Sequence, residues 1–300
     1  MGFLFLLLAA VTPARAVLFD STGDPSFNTT APGGALAGSG WQYEGSWLGF
    51  LGTPIAPNYF ISAGHIGGSV GDIFTFNGVQ YTTTAMFQSP TSDLRIWQVS
   101  GTFPMFAPLY TGSDEVGKSL VVIGNGTQRG ADISPGGMLK GWSWGTADGV
   151  TRWGTNVVSG IYTGNASQGD FLMAAFDHGF DLNEAHLSVG DSGGAVFIQD
   201  AMGTWQLAGI NYGVDGPYAL DSSGGGQFNA SLFDQSGFYL QNEVGGWDAA
   251  SGPGSFYATR ISSNSDWILG VIPEPNVPAL LLSGVAILLI APRLASRRRK

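Results

Sequence analysis

Gly190-Asp191-Ser192-Gly193-Gly194-Ala195 (GDSGGA) is the stretch on which the reading of this chain turns. A serine set among glycines suits a nucleophile. A backbone without side chains turns sharply, presents the hydroxyl and aims amide N–H groups at a developing oxyanion. Serine alone is a poor nucleophile and needs a base, and the chain has only three histidines: His65, His178 and His186. His65 closes the run Asn58-Tyr59-Phe60-Ile61-Ser62-Ala63-Gly64-His65, an apolar strand ending in small residues, which can hold an imidazole at a strand end. The third member of such a set is a carboxylate next to an apolar strand, buried enough to orient the histidine. Asp93, in Ser92-Asp93-Leu94-Arg95-Ile96-Trp97-Gln98-Val99, meets that description. Asp72 also follows His65, but it sits in a Gly71-Asp72 turn without the strand. His178, in Phe176-Asp177-His178-Gly179, reads as a loop residue.

Outward from these positions the chain reads as all-β. Short apolar or alternating runs recur between turn residues: 47–51, 59–63, 73–76, 94–99, 119–123, 195–198 and 205–212. That spacing belongs to a sandwich or barrel of short strands. The 47 glycines, 15 prolines and only 11% charged residues agree, and 44% hydrophobic residues supply a core. With no cysteine, disulfides, cysteine-ligated zinc and a thiol nucleophile are all excluded. The formal charge of -10 is unevenly spread. Between residues 17 and 292 stand six Lys and Arg against all 22 acids, so the body would repel phosphate backbones and nucleic acid is not an expected partner. Residues 17–40 read as an irregular leader, and 214–254, glycine-rich around Ser222-Ser223-Gly224-Gly225-Gly226, as a long surface insertion.

At this point the chain resembles the chymotrypsin-like (trypsin-type) serine peptidases. "SAGHI" (62–66) looks like that family's "TAAHC", "DLRIWQV" (93–99) like "DIALLxL", and "GDSGGAVF" (190–197) like "GDSGGPLV". "LAGINYG" (207–213) is similar to "LVGIVSWG", and "YATRISSNSDWI" (257–268) to the closing "YTRVSxxxxWI". The five stretches stand in the family's order, from about residue 47 to 268. The resemblance implies two six-stranded antiparallel β-barrels with a short C-terminal helix, in a peptidase domain spanning 41–270. It implies Ser192 as nucleophile, His65 as general base and then acid, Asp93 as the group that orients His65, and the backbone N–H groups of Gly190 and Ser192 as an oxyanion hole. Asn211, Tyr212 and Gly213 would lie along the substrate backbone, with Gly213 leaving the pocket entrance open. No metal or organic cofactor is required by this chemistry.

Several positions depart from the family. His186 stands where the family places the base of its primary specificity pocket, and Phe256 where it usually has a small pocket-wall residue. The absence of an aspartate at 186 argues against Lys or Arg specificity, and a small or polar residue before the cut is the expectation. Asp191 would be paired in the family by an N-terminal ammonium released on zymogen cleavage. Here Val17-Leu18-Phe19-Asp20 is not the family's Ile-Val-Gly-Gly, so either another internal partner for Asp191 or activation by signal removal is expected. Ile66 and Ser188 occupy positions where the family has disulfide cysteines, and a lost bridge typically costs about 2–5 kcal/mol that core packing must offset.

The two ends read as addresses. Phe3 to Val11 (FLFLLLAAV) is too short to span a bilayer, and Ala14-Arg15-Ala16 offers the small residues that a signal peptidase reads, so residues 1–16 are expected to be a signal peptide. Residues 271–300 combine Pro273-Glu274-Pro275, an apolar stretch from Val277 to Pro292, and the cluster Arg297-Arg298-Arg299-Lys300. This order resembles the PEP-CTERM sorting tail of Gram-negative bacteria, which implies an exosortase-type partner. The apolar stretch could also serve as a permanent membrane anchor, with its basic cluster on the cytoplasmic side. The protein is therefore expected in the periplasm, at the cell surface or in the extracellular matrix, acting as an endopeptidase on protein or peptide substrates. The alternatives are a catalytically weak or inactive binding protein on the same fold, with 214–254 as its contact surface, and a peptidase that cuts only its own tail or leader.

Overall fold

Two dipeptides, Leu48-Gly49 and Asn77-Gly78, shape the first half of the structure. Leu48 and Asn77 have φ of 50°, Gly49 84° and Gly78 74°. Two successive left-handed residues form the two-residue turn whose twist matches that of the flanking strands. The computed structural model describes residues 17–272; the expected signal peptide and the tail from Pro273 onward lie outside the described residues. After β1 (Leu18–Phe19), the Leu48-Gly49 turn joins β2 (Gly45–Trp47) to β3 (Phe50–Ala56). Then follow β4 (Tyr59–Ala63), β5 (Ile73–Phe76), β6 (Val79–Gln88) and β7 (Leu94–Val99). These strands close into a barrel in the order β2-β3-β4-β7-β6-β5. Aromatic rings fill it: Phe60 stacks on Phe74 with centroids 4.0 Å apart, Trp47 lies 4.8 Å from Trp97, and Phe103 caps the stack. Large rings bury some 150–250 Å² each, and this packing holds a barrel that has no covalent staple.

The second half carries β8 (Ser119–Gly124), β9 (Thr127–Ile133), β10 (Gly141–Ala147), β11 (Arg152–Val157), β12 (Gly160–Thr163), β13 (Asp170–Ala175), β14 (Ala185–His186), β15 (Ala195–Gln199) and β16 (Trp205–Val214). Beyond them come β17 (Tyr218–Ala219), β18 (Ala230–Leu232), β19 (Tyr239–Gln241), β20 (Trp247–Ala249) and β21 (Ser255–Arg260), and the short C-terminal helix α1 (Ser265–Val271). A seven-stranded antiparallel sheet runs β11-β8-β15-β16-β21-β13-β12 around a core that includes Val122, Leu172, Val196 and Ile198. The chain is thus nearly all β with a closed six-stranded barrel. The second half has one more sheet strand than the six-stranded barrel expected of it, because β12 (Gly160–Thr163) pairs onto β13 at the sheet edge.

The segment that reads as an irregular leader and the one that reads as a surface insertion are both built into this second half. Val17, Leu18 and Phe19 are each at most 3% exposed, and β1 pairs with β14 through Leu18↔His186 and Phe19↔Ala185. The chain then wraps the surface. Trp153 donates from its indole to the Thr30 carbonyl, Arg152 donates to the Pro25 carbonyl, and Asn28 donates to the Trp153 carbonyl. A two-residue strand has no periodicity to read, which is why the leader shows no pattern. The 214–254 segment forms a three-stranded sheet (β17-β19-β20) over its own small core of Tyr218, Phe238, Ala230 and Leu232, and β18 pairs with β10.

Candidate active site

The register of β4 on β7, with Ala63 opposite Leu94, brings the C-terminal end of one strand against the N-terminal end of the other. His65 follows the first and Asp93 precedes the second. Asp93 Oδ2 lies 2.6 Å from His65 Nδ1, and Asp93 Oδ1 accepts the backbone N–H of His65 at 2.9 Å. The backbone N–H of Gly64 donates to the Asp93 carbonyl at 2.9 Å. One carboxylate therefore grips both the ring and the main chain of the histidine. Ser92, its neighbour, is held by hydroxyl hydrogen bonds to Ser89 and Asn264. Ser192 Oγ stands 2.8 Å from His65 Nε2. With Nδ1–H donating to the carboxylate, Nε2 is left as the acceptor for the Ser192 hydroxyl, an assignment made from the hydrogen-bond network. Asp72 takes no part; it accepts the Ser69 N–H in its own turn. His178 is also apart, stacked on Phe233 and bonded to Asp20.

The turn carrying Ser192 is built from left-handed glycines, Gly190 at φ 98° and Gly193 at 78°. Asp191 N–H donates to the Ser188 carbonyl, Gly194 N–H to the Asp191 carbonyl and Gly193 N–H to the Asn211 carbonyl. Among the described residues, neither Gly190 nor Ser192 spends its backbone N–H on a hydrogen bond within the protein. A Cβ on Gly193 would stand 2.5 Å from the Leu51 carbonyl oxygen, so no larger residue fits there.

Beneath this turn Asp191 is 1% exposed. Its carboxyl accepts the Gly126 N–H at 2.6 Å, the Ser188 N–H at 2.8 Å and the Ser188 hydroxyl at 3.1 Å. Burial outweighs these donors and raises its pKa to about 7. The partners of Asp191 are therefore internal, and Ser188, at a position expected for a lost disulfide, is a hydrogen-bonding hub that also accepts the Thr127 N–H. Asn211 is fully buried, and its amide donates to the carbonyls of Ile123 and Asp191, bracing the same turn from the other side.

Tyr212 and Gly213 border the cleft, Tyr212 meeting the His65 ring edge-on at 5.6 Å. The open space beside Ser192, about 450 Å³, is lined by Ile66, Trp144, Val189, Gly190 and Gly213 among others. His186 is not among those lining residues. It is 1% exposed, lies between Phe176 and Phe256, and its Nδ1 is bonded to the Leu187 carbonyl and the Ser231 hydroxyl. Burial lowers its pKa, so the ring is neutral. The residue expected at the base of a specificity pocket is thus core, because Phe176, Phe256 and the Ser231 hydroxyl enclose its ring. Phe256 is likewise core at 1% exposed.

Sequence reasoning missed three elements. The loop residues Asn165 and Gln168 line a cavity of about 480 Å³ against His65 and Asp93, and Gln168 donates to the Tyr212 hydroxyl at 2.7 Å. Trp144 borders the Ser192 cleft, and Gly126 holds Asp191. None stands in a motif; all reach the site from loops or strands distant in sequence. Among the described residues, no group of three or more His, Cys, Asp or Glu could hold a metal ion, and no helix is long and apolar enough to cross a membrane.

No family model and no curated protein matches the chain. Among solved structures it is similar to the passenger domain of plasmid encoded toxin, an autotransporter enterotoxin from enteroaggregative Escherichia coli. That similarity has 14% identity over 74% of this chain and 22% of that one, with a TM-score of 0.45. It is also similar to the inactive form of a serine-to-alanine mutant of Rv3671c from M. tuberculosis H37Rv, at 14% identity over 82% of this chain and 98% of that one, with a TM-score of 0.43. The chain spans about a fifth of the toxin domain's length. At such scores neither likeness carries an argument.

Proposed function

We propose that this chain is an exported serine endopeptidase that works through Ser192, His65 and Asp93. One observation carries the reading: Asp93, His65 and Ser192 form an unbroken hydrogen-bonded line, at 2.6 and 2.8 Å, across three segments far apart in sequence. In the reaction, Ser192 Oγ attacks the scissile carbonyl carbon while its proton passes to His65 Nε2. The resulting oxyanion is met by the Gly190 and Ser192 N–H groups, which have no other acceptor among the described residues. The C–N bond then breaks as His65 returns the proton to the leaving amine, leaving an ester on Ser192. Water, deprotonated by the same imidazole, hydrolyses that ester and frees Ser192.

A peptide rather than a small ester is favoured by the strand edge beside the serine. β15 pairs with β16 only as far as Ala195↔Ile210, while β21 continues along Gly213 and Val214. The other edge of 212–214 is therefore open to an added extended segment, and a side chain at Gly213 would meet nothing within 4 Å. Export by the expected signal peptide and retention by the expected PEP-CTERM tail belong to the same proposal. They rest on the sequence of residues 1–16 and 271–300. A serine-directed fluorophosphonate probe tests the chemistry: labelling of the wild type and not of Ser192→Ala supports it, and no labelling of either refutes it.

A further inference from the structure

We propose that the cavity on the far side of Tyr212 is a second recognition site of the same cleft, built to take a cationic side chain of the peptide substrate, lysine or arginine, at a position removed from the bond that Ser192 attacks. The inference rests on the hydrolase reading above. The cavity measures about 650 Å³, and four rings wall it. Tyr212 lies 4.6 Å from Phe171, Phe171 6.3 Å from Tyr257, and Tyr257 5.5 Å from Tyr162. Two carboxylates complete it, Asp215 and Glu243.

Every donor to those carboxylates is neutral. Asp215 accepts the Tyr257 hydroxyl at 2.8 Å, the Ser255 N–H at 2.8 Å and the Gln235 amide at 3.0 Å. Glu243 accepts the Tyr162 hydroxyl at 2.6 Å. Among the described residues no Lys, Arg or His lines the cavity, and neither carboxylate belongs to an ion pair. A ring face attracts a cation within roughly 6 Å of its centroid. Aromatic walls with uncompensated negative charge therefore select a cation, repel an anion and leave an aliphatic side chain without a partner for the carboxylates.

Placement ties this cavity to the chemistry. Tyr212 touches the His65 ring on one side and walls the cavity on the other. A peptide extended along the open edge of 212–214 advances about 3.3 Å per residue, so it reaches the cavity within a few residues of Ser192. Glu243 comes from the insertion, in the turn between β19 and β20, where Asn242 N–H donates to the Gly246 carbonyl and Gly246 N–H to the Asn242 side chain. The insertion thus supplies selectivity that the buried His186 does not.

The test is cleavage profiling of a peptide library in which each position is in turn Lys, Arg, norleucine or Glu, using the full chain and its Glu243→Gln and Glu243→Lys variants. The expected result is enrichment of Lys and Arg at a position not adjacent to the cut. The kcat/KM ratio of Lys over norleucine at that position falls about fivefold in Glu243→Gln, and Glu243→Lys shifts the preference toward Glu. No cationic preference, or the same preference in all three proteins, overturns the inference. Fluorophosphonate labelling read in parallel separates the two readings: a labelled protein without cationic preference loses this site and keeps the hydrolase. If no protein is labelled, the Ser192→Ala chain is titrated with fluorescein-labelled Lys and norleucine peptides. Tighter Lys binding that Glu243→Gln abolishes supports the site, and equal or undetectable binding overturns it.

Discussion

Replacing Asp93 by asparagine probes the geometry most directly, because both carboxylate oxygens are in use. Oδ2 lies 2.6 Å from His65 Nδ1, and Oδ1 accepts the His65 backbone N–H at 2.9 Å. Both contacts come from donors, and asparagine has only one oxygen to give. If that oxygen stays with the main chain, the amide NH2 faces Nδ1, the ring proton moves to Nε2, and the base can no longer accept the Ser192 proton. The expected loss is then about 10⁴ in rate. At 1.36 kcal/mol per tenfold this is about 5.4 kcal/mol of transition-state stabilisation. If the amide turns over instead, the ring keeps its tautomer, but a backbone N–H is left facing an NH2 group, costing about 1–3 kcal/mol of stability. The assay is the second-order rate constant of fluorophosphonate labelling at neutral pH, read beside the thermal midpoint. A variant labelled within tenfold of the wild-type rate and equally stable refutes the role assigned to Asp93.

Gly126→Ala should destabilise the fold by about 1–3 kcal/mol and suppress labelling, since its Cβ would lie 2.4 Å from an Asp191 carboxylate oxygen and 2.5 Å from Ser188 Oγ; thermal denaturation and probe labelling check both. Burial raises the pKa of Asp191 to about 7 and of Glu184 to about 8. Between about pH 4 and these values the folded chain keeps protons that the unfolded chain has released, so stability falls as pH rises across that window, by up to about 1.4 kcal/mol per unit of displacement. Urea denaturation should give a higher midpoint at pH 5 than at pH 8, and the reverse order refutes it. Glu115 is 1% exposed and takes two hydrogen bonds from the Arg260 guanidinium, at 2.8 and 2.7 Å. Glu115→Ala removes both of these bonds but leaves Arg260 partly exposed and 3.7 Å from Asp170, and should cost about 1–3 kcal/mol by chemical denaturation.

How far each part was legible follows from the range of the interactions that make it. The strands of the first barrel announce themselves because runs such as 59–63 are apolar but for Ser62 and are bounded by turn residues. The residues of the proposed triad are equally visible, since a nucleophile, a base and an orienting carboxylate demand particular residue types beside particular strands. The leader hides its strand because Leu18 and Phe19 become one only by pairing with Ala185 and His186, some 170 residues away.

By itself, then, the sequence determined an all-β body without disulfides and singled out Ser192, His65 and Asp93 as candidates, because strand pattern, turn chemistry and side-chain reactivity are local properties. Only the tertiary structure decided that His186 is a core residue, that Asp191 is held by Gly126 and Ser188, and that Tyr162, Tyr257, Asp215 and Glu243 meet around one cavity. Burial, hydrogen-bond partnership and the sharing of a cavity are relations between segments distant along the chain, and they exist only once the sheets have closed.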